Sequence, residues 1–193
     1  MIGIKLAHAH QRVRLDDAAY EGVYAIAAEL GVPVLLHTGL SPFPGTETEP
    51  SYYDPTHLES VVARFKDVDF VLSHVGQGDE RAVNRAIDLA AAHDNVWLEL
   101  SALGRPPLLD EQGGAATTTE PQYPAVLAAI RDRGLVMRAL FASDGPQYSG
   151  AVRGYLTKLV AGMRAAGYSP AEIEAVLAGN FVRLFRRVPP PAR

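Results

Sequence analysis

At 193 residues, 48% hydrophobic and 21% charged, the chain has the composition of one folded globular domain, near the prior of roughly 150 residues per domain. A formal charge of −4 with scattered Lys and Arg leaves no basic stripe for a phosphate backbone, and the absence of cysteine excludes disulfides and thiolate metal sites. No run approaches the roughly 18 apolar residues of a membrane span, and Met1 to Leu6 enter a strand-like run with no export signal, so a cytoplasmic protein that binds neither nucleic acid nor membrane is expected.

Short aliphatic runs alternate with helical patterns, as in a parallel sheet with crossover helices. A first strand is expected over Ile2 to Leu6, then a helix over Asp16 to Leu30. That helix has Asp16 and Asp17 in its first turn, an apolar stripe of Val23, Ile26, Ala27 and Leu30, and Gly31 to stop it. The next strand, Pro33 to His37, leads to a helix that Asp54 caps ahead of Pro55, running through Val61, Val62 and Phe65. Asp69 to His74 is the third strand, followed by a helix from Asp79 through Ala92 and a fourth strand over Asn95 to Ser101. Pro121 to Arg133, a fifth strand over Ala139 to Ser143, and Ser149 to Ala166 follow. Ser169, Pro170 and Glu172 open a last helix toward Leu177. Residues 1–188 read as one domain and 189–193 as a flexible tail. The long connections Thr38 to Asp54 and Ala102 to Glu120 both follow strands, which places a site at the carboxyl ends of the strands.

Three polar residues stand at such ends: His37, His74 and Asp144. Strands distant in sequence can converge two imidazoles and a carboxylate there, a donor set suited to a divalent metal. Glu99 and Ser101 share a face of the fourth strand, and Arg105 could bind a substrate carboxylate through its planar fork. Tyr52, Tyr53 and His57 follow the first long loop. His8-Ala9-His10 repeats the spacing of a ligand pair but falls after the strand, where a solvated loop is expected.

These words, in this order, resemble the amidohydrolase superfamily, and within it the amidohydrolase-related family of metal-dependent hydrolases and decarboxylases. Gly3-Ile4-Lys5-Leu6 with Leu15-Asp16-Asp17 resembles the fourth barrel strand and its helix. Val34-Leu35-Leu36-His37-Thr38-Gly39 resembles the fifth, Leu72-Ser73-His74-Val75-Gly76 the sixth, Val96-Trp97-Leu98-Glu99-Leu100-Ser101 the seventh and Phe141-Ala142-Ser143-Asp144-Gly145-Pro146 the eighth. Gly179-Asn180-Phe181-Val182-Arg183-Leu184-Phe185 resembles the closing helix.

The resemblance implies a TIM-barrel-like (β/α) fold, here incomplete, with about five parallel strands and flanking helices. It implies a metal-activated water attacking an amide, ester or lactone carbonyl of a small-molecule substrate. His37 would be a metal ligand, Asp144 both ligand and general base, and His74 either a second-metal ligand or the group orienting water and substrate. Lys5 would stand where some members carry a carboxylated lysine between two metals, or would pair unmodified with Asp144 or a substrate carboxylate. Zinc is the first expectation and manganese the second, from nitrogen and oxygen ligands. The family's first strand, with its own His-x-His, has no counterpart here. Exposed sheet edges, and a homo-oligomer or a complementary N-terminal half to cover them, are therefore expected. Decarboxylation, or a non-catalytic binding and assembly role, are the alternatives.

Overall fold

A computed structural model describes residues 2–41, 49–103, 109–114, 123–145 and 148–185. Arg105 and the 189–193 tail lie outside these described residues. Five strands, β1 (Ile4–Leu6), β2 (Val34–His37), β3 (Phe70–Ser73), β4 (Val96–Glu99) and β5 (Ala139–Leu140), form one sheet in the order of the chain. Every pairing is parallel. The helices are α1 (His8–Gln11), α2 (Glu21–Leu30), α3 (Glu59–Arg64), α4 (Glu80–Ala92), α5 (Tyr123–Asp132), α6 (Ala151–Ala165), α7 (Pro170–Glu174) and α8 (Asn180–Phe185). The sheet is open, with β1 and β5 as its two ends. No helix among the described residues is long and apolar enough to cross a membrane.

Three helix starts fall where short polar side chains take up orphaned backbone N–H groups. Asp54 accepts from Thr56 N ahead of a 3-10 turn that leads into α3, and Asp79 accepts from Arg81 N and Ala82 N at the head of α4. Ser169 and Glu172 form a reciprocal capping box on α7. Gly31 ends α2 in the left-handed conformation, at φ 61°.

Two expectations are corrected. The helix after β1 begins as a 3-10 turn, Ala18–Tyr20, capped by Asp17, and becomes α-helical only at Glu21. Its buried stripe is Tyr24 and Ala27, while Ile26 and Leu30 face outward. Tyr24 sets this phase, because its ring fits edge-on against Phe65 and Phe70 at 5.4 and 5.5 Å between centroids. The fifth strand pairs only at Ala139–Leu140, and the chain then leaves the ladder as Phe141 N donates to Val176 O near the end of the fold.

The period of two along each strand divides the sheet into two faces. Val34, Leu36, Phe70, Leu72, Val96, Leu98 and Ala139 pack with the helices in the main core. Leu35, Val71, Trp97 and Leu140 form a second cluster with Leu184 and Phe185 of α8. Burying one such Leu or Phe contributes about 1.5–3 kcal/mol, so the helix-facing side supplies most of the driving force.

Candidate active site

The second face carries the polar residues. His37, Ser73 and Glu99 end β2, β3 and β4, and the ladder sets them side by side, His37 opposite Ser73 and Ser73 opposite Glu99. Lys5 shares their face from β1, opposite Leu35, and its longer side chain reaches upward so that Nζ donates to Ser73 Oγ at 2.7 Å. Four adjacent strands thus deliver a cation, an imidazole, a hydroxyl and a carboxyl to one patch.

Beyond the strands the backbone turns sharply. His74 and Val75 hold φ values of 70° and 50°, Ala102 62° and Asp144 48°, in the left-handed region that costs an L-residue roughly 1–2 kcal/mol. Such strain gathers where a fold aims side chains for function. The turns after β2 and β3 are locked together: Thr38 Oγ1 donates to Ser73 O and accepts from Gly76 N at 2.8 and 3.0 Å. A Cβ on Gly39 would lie 2.3 Å from Gln77 O, so only glycine permits this approach. The result is a pair of imidazoles, His37 and His74, with ring centroids 4.9 Å apart.

His74 Nδ1 lies 2.7 Å from Ser101 Oγ. Ser101 in turn donates twice to Glu99, from its hydroxyl to Oε2 at 2.9 Å and from its backbone N–H to Oε1 at 2.5 Å. Burial pushes the Glu99 carboxyl up and the Lys5 ammonium down; their mutual attraction and the Ser101 donors oppose this without overcoming it. His37 is pushed down to about 3 by burial first, then by the neighbouring His74, Lys5 and His10. The His37 ring is therefore neutral, and its Nε2 is buried with no hydrogen-bond partner. His10 meets it edge-on at 5.4 Å.

The other candidates fall in different places. Asp144 stands four residues past Leu140 and is exposed, near enough to bias the titration of both Lys5 and Glu99. Tyr53 is a structural residue, donating from its hydroxyl to Asp79 Oδ2 at 3.0 Å. The His8-Ala9-His10 segment is a helical turn rather than a solvated loop: His8 is fully buried against Tyr20 with neither ring nitrogen partnered, while His10 is exposed. Its helical backbone turns the two rings to different surroundings, as alternation on a strand would not. Ser73 was not among the expected site residues, although its place one step before His74, on the His37 face of its strand, marks it.

The donor chemistry fits a metal only in part. A buried, neutral imidazole with an orphaned Nε2 is what a divalent ion would use. Yet among the described residues no three His, Cys, Asp or Glu side chains converge closely enough to hold one. These residues therefore make up less than a full coordination sphere.

The family model for amidohydrolases matches residues 1–187. A search of curated proteins found no match. Solved structures share the fold. An uncharacterised TIM-barrel protein from Bordetella bronchiseptica is 21% identical with a TM-score of 0.69, over 96% of this chain and 57% of its own. A zinc-bound amidohydrolase from Burkholderia multivorans is 17% identical with a TM-score of 0.63, over 98% and 65%. The 5-carboxyvanillate decarboxylase of Sphingomonas paucimobilis is 15% identical with a TM-score of 0.60, over 96% and 58%. The chain thus spans about three-fifths of the length of these structures, and its open five-stranded sheet is an incomplete version of their barrel. From strand succession, strand-end chemistry and the family match along nearly its whole length, the chain belongs to the amidohydrolase family.

Proposed function

We propose that this chain carries the carboxyl-end face of a metal-dependent hydrolase that opens an amide, ester or lactone bond in a small substrate. The observation that supports this most is the orphaned Nε2 of His37, a buried nitrogen that costs stability unless something binds it. Zinc is the ion we favour, with manganese second, since imidazole and carboxylate suit both. When bound, such an ion supplies Lewis acidity and lowers the pKa of water toward about 7.

The chain's own residues do the remaining work. Asp144, exposed at the rim, takes the proton of the attacking water. His74 orients that water and the substrate. Lys5, held by Ser73, donates from Nζ to a substrate carbonyl or carboxylate oxygen. The open sheet edges, and exposed apolar side chains such as Ile2 beside β1 and Phe181 and Val182 on α8, suit partner contacts. We assign those edges to a second copy or to a complementary segment that completes the donor set.

The test is turnover of aryl esters, lactones and carboxylated aromatic rings in isotopically labelled water, with zinc or manganese added. Hydrolysis places one labelled oxygen in the product carboxyl, and Asp144→Asn lowers the rate by about 100-fold or more. Release of carbon dioxide without label in the product would replace hydrolysis by decarboxylation. Inactivity on every substrate with either metal, in the isolated chain and in its assembled form, would leave a binding module.

A further inference from the structure

Ser101 sits between two groups whose chemistry it can couple. Its backbone N–H can only donate, so Glu99 Oε1 accepts. Its hydroxyl has a single hydrogen, and that hydrogen lies toward Glu99 Oε2 at 2.9 Å. The lone pairs of Ser101 Oγ then face His74 Nδ1 at 2.7 Å, and an oxygen so placed needs a proton on that nitrogen. In a neutral imidazole the other nitrogen carries the lone pair. All three residues are buried, so no solvent competes for these bonds.

We propose that Ser101 and Glu99 are positioning residues that hold His74 as its Nδ1–H tautomer and so present the Nε2 lone pair to the space shared with His37. His74 then enters chemistry there as an acceptor, toward a proton or an electrophile, and not as a ring N–H donor. The opposite direction is chemically distinct. If Glu99 donated to Ser101, the serine hydrogen would turn to Nδ1 and the ring proton would sit on Nε2. The ring tautomer therefore reports the direction of the whole chain from Glu99 through Ser101 to His74. The Ser101 backbone N–H on Oε1 and the nearby Lys5 both favour the carboxylate, and with it the first direction, against the burial that pushes this carboxyl up.

The consequence for catalysis rests on the hydrolase reading, whereas the tautomer is a property of the chain alone, so either can fail without the other. The experiment is long-range nitrogen–proton correlation NMR of the six histidine rings at pH 8 in the metal-free 193-residue protein, with His74 assigned from a His74→Asn variant. The expected spectrum shows a protonated Nδ1 and an unprotonated Nε2 for His74. Ser101→Ala is expected to shift Nε2 toward the protonated range, and Ser101→Thr, which keeps the hydroxyl, to restore the original shift. An Nε2–H ring in the unaltered protein, a ring averaging between the two forms, or an Nδ1–H ring that persists in Ser101→Ala would each overturn the proposal. Should Ser101→Ala not fold, the unaltered protein and Ser101→Thr decide it: both must show Nδ1–H, and any other pattern refutes the assignment.

Discussion

The two faces of the sheet are made by the same strands, residue by alternate residue, and they are built to opposite ends. On the helix side Leu36, Leu72 and Leu98 are fully buried among other hydrocarbon. One position away, His37, Ser73 and Glu99 carry polar groups into the interior, one of them with an unsatisfied nitrogen. The first face lowers the free energy of the fold; the second gives up some of that stability to hold polar groups in the interior. Within one strand, then, apolar packing and buried polar groups are separated by a single step of register.

The difference can be tested by pairs of substitutions. The largest effect belongs to the helix side: Leu72→Ala should cost about 2–5 kcal/mol in urea unfolding, the usual range for a leucine removed from a close-packed core. A loss under 1 kcal/mol would mean that face is loosely packed.

Next comes acid. The ring of His8, fully buried, is pushed down from 6.5 to about 4, mainly by burial, with Asp17 pulling weakly the other way. Because the folded value is the lower, the unfolded chain takes up a proton that the folded chain refuses. Stability from this residue is whole above pH 6.5 and declines as pH falls toward 4, by about 3 kcal/mol in all. His8→Phe, which can keep the contact with Tyr20, should flatten the pH dependence of the unfolding midpoint between those values; an unchanged slope would place the acid sensitivity elsewhere.

Smaller and of opposite sign is His37→Leu. Replacing a buried imidazole that lacks one partner by hydrocarbon should raise stability by up to about 1 kcal/mol. A loss of more than that would show that the ring is fully satisfied and that the polar face costs nothing. Of similar size is Ser73→Ala, which takes away the hydroxyl that Lys5 Nζ donates to, for a loss of about 0.5–1.5 kcal/mol in the same measurement. No change would mean that solvent or Glu99 replaces the serine at once.

Much of the fold was legible because it is written locally. Asp54, Asp79 and the Ser169/Glu172 pair announce helix starts by chemistry that acts over two or three residues, and the structure bears out each one. The aliphatic runs announce parallel strands in the same way. What failed was set by distant contacts. The stripe on α2 is turned from its local pattern because Tyr24 is fixed by Phe65 and Phe70, forty or so residues on. The fifth strand is short because Phe141 bonds to Val176 instead of continuing the ladder. In the site, His37 and Glu99 follow from strand ends, and alternation alone could have added Ser73. The link from Ser101 to His74 could not be read, since it depends on a left-handed turn at His74 that a non-glycine residue rarely adopts.

If the polar face is a metal-binding half-site built around His37, zinc titrated by calorimetry into the unaltered protein and into His37→Leu will tell the two apart. Saturable binding is expected of the former and an affinity at least about 10-fold weaker of the latter, with both proteins folded. Equal affinity in the two, or no binding by either, would contradict it.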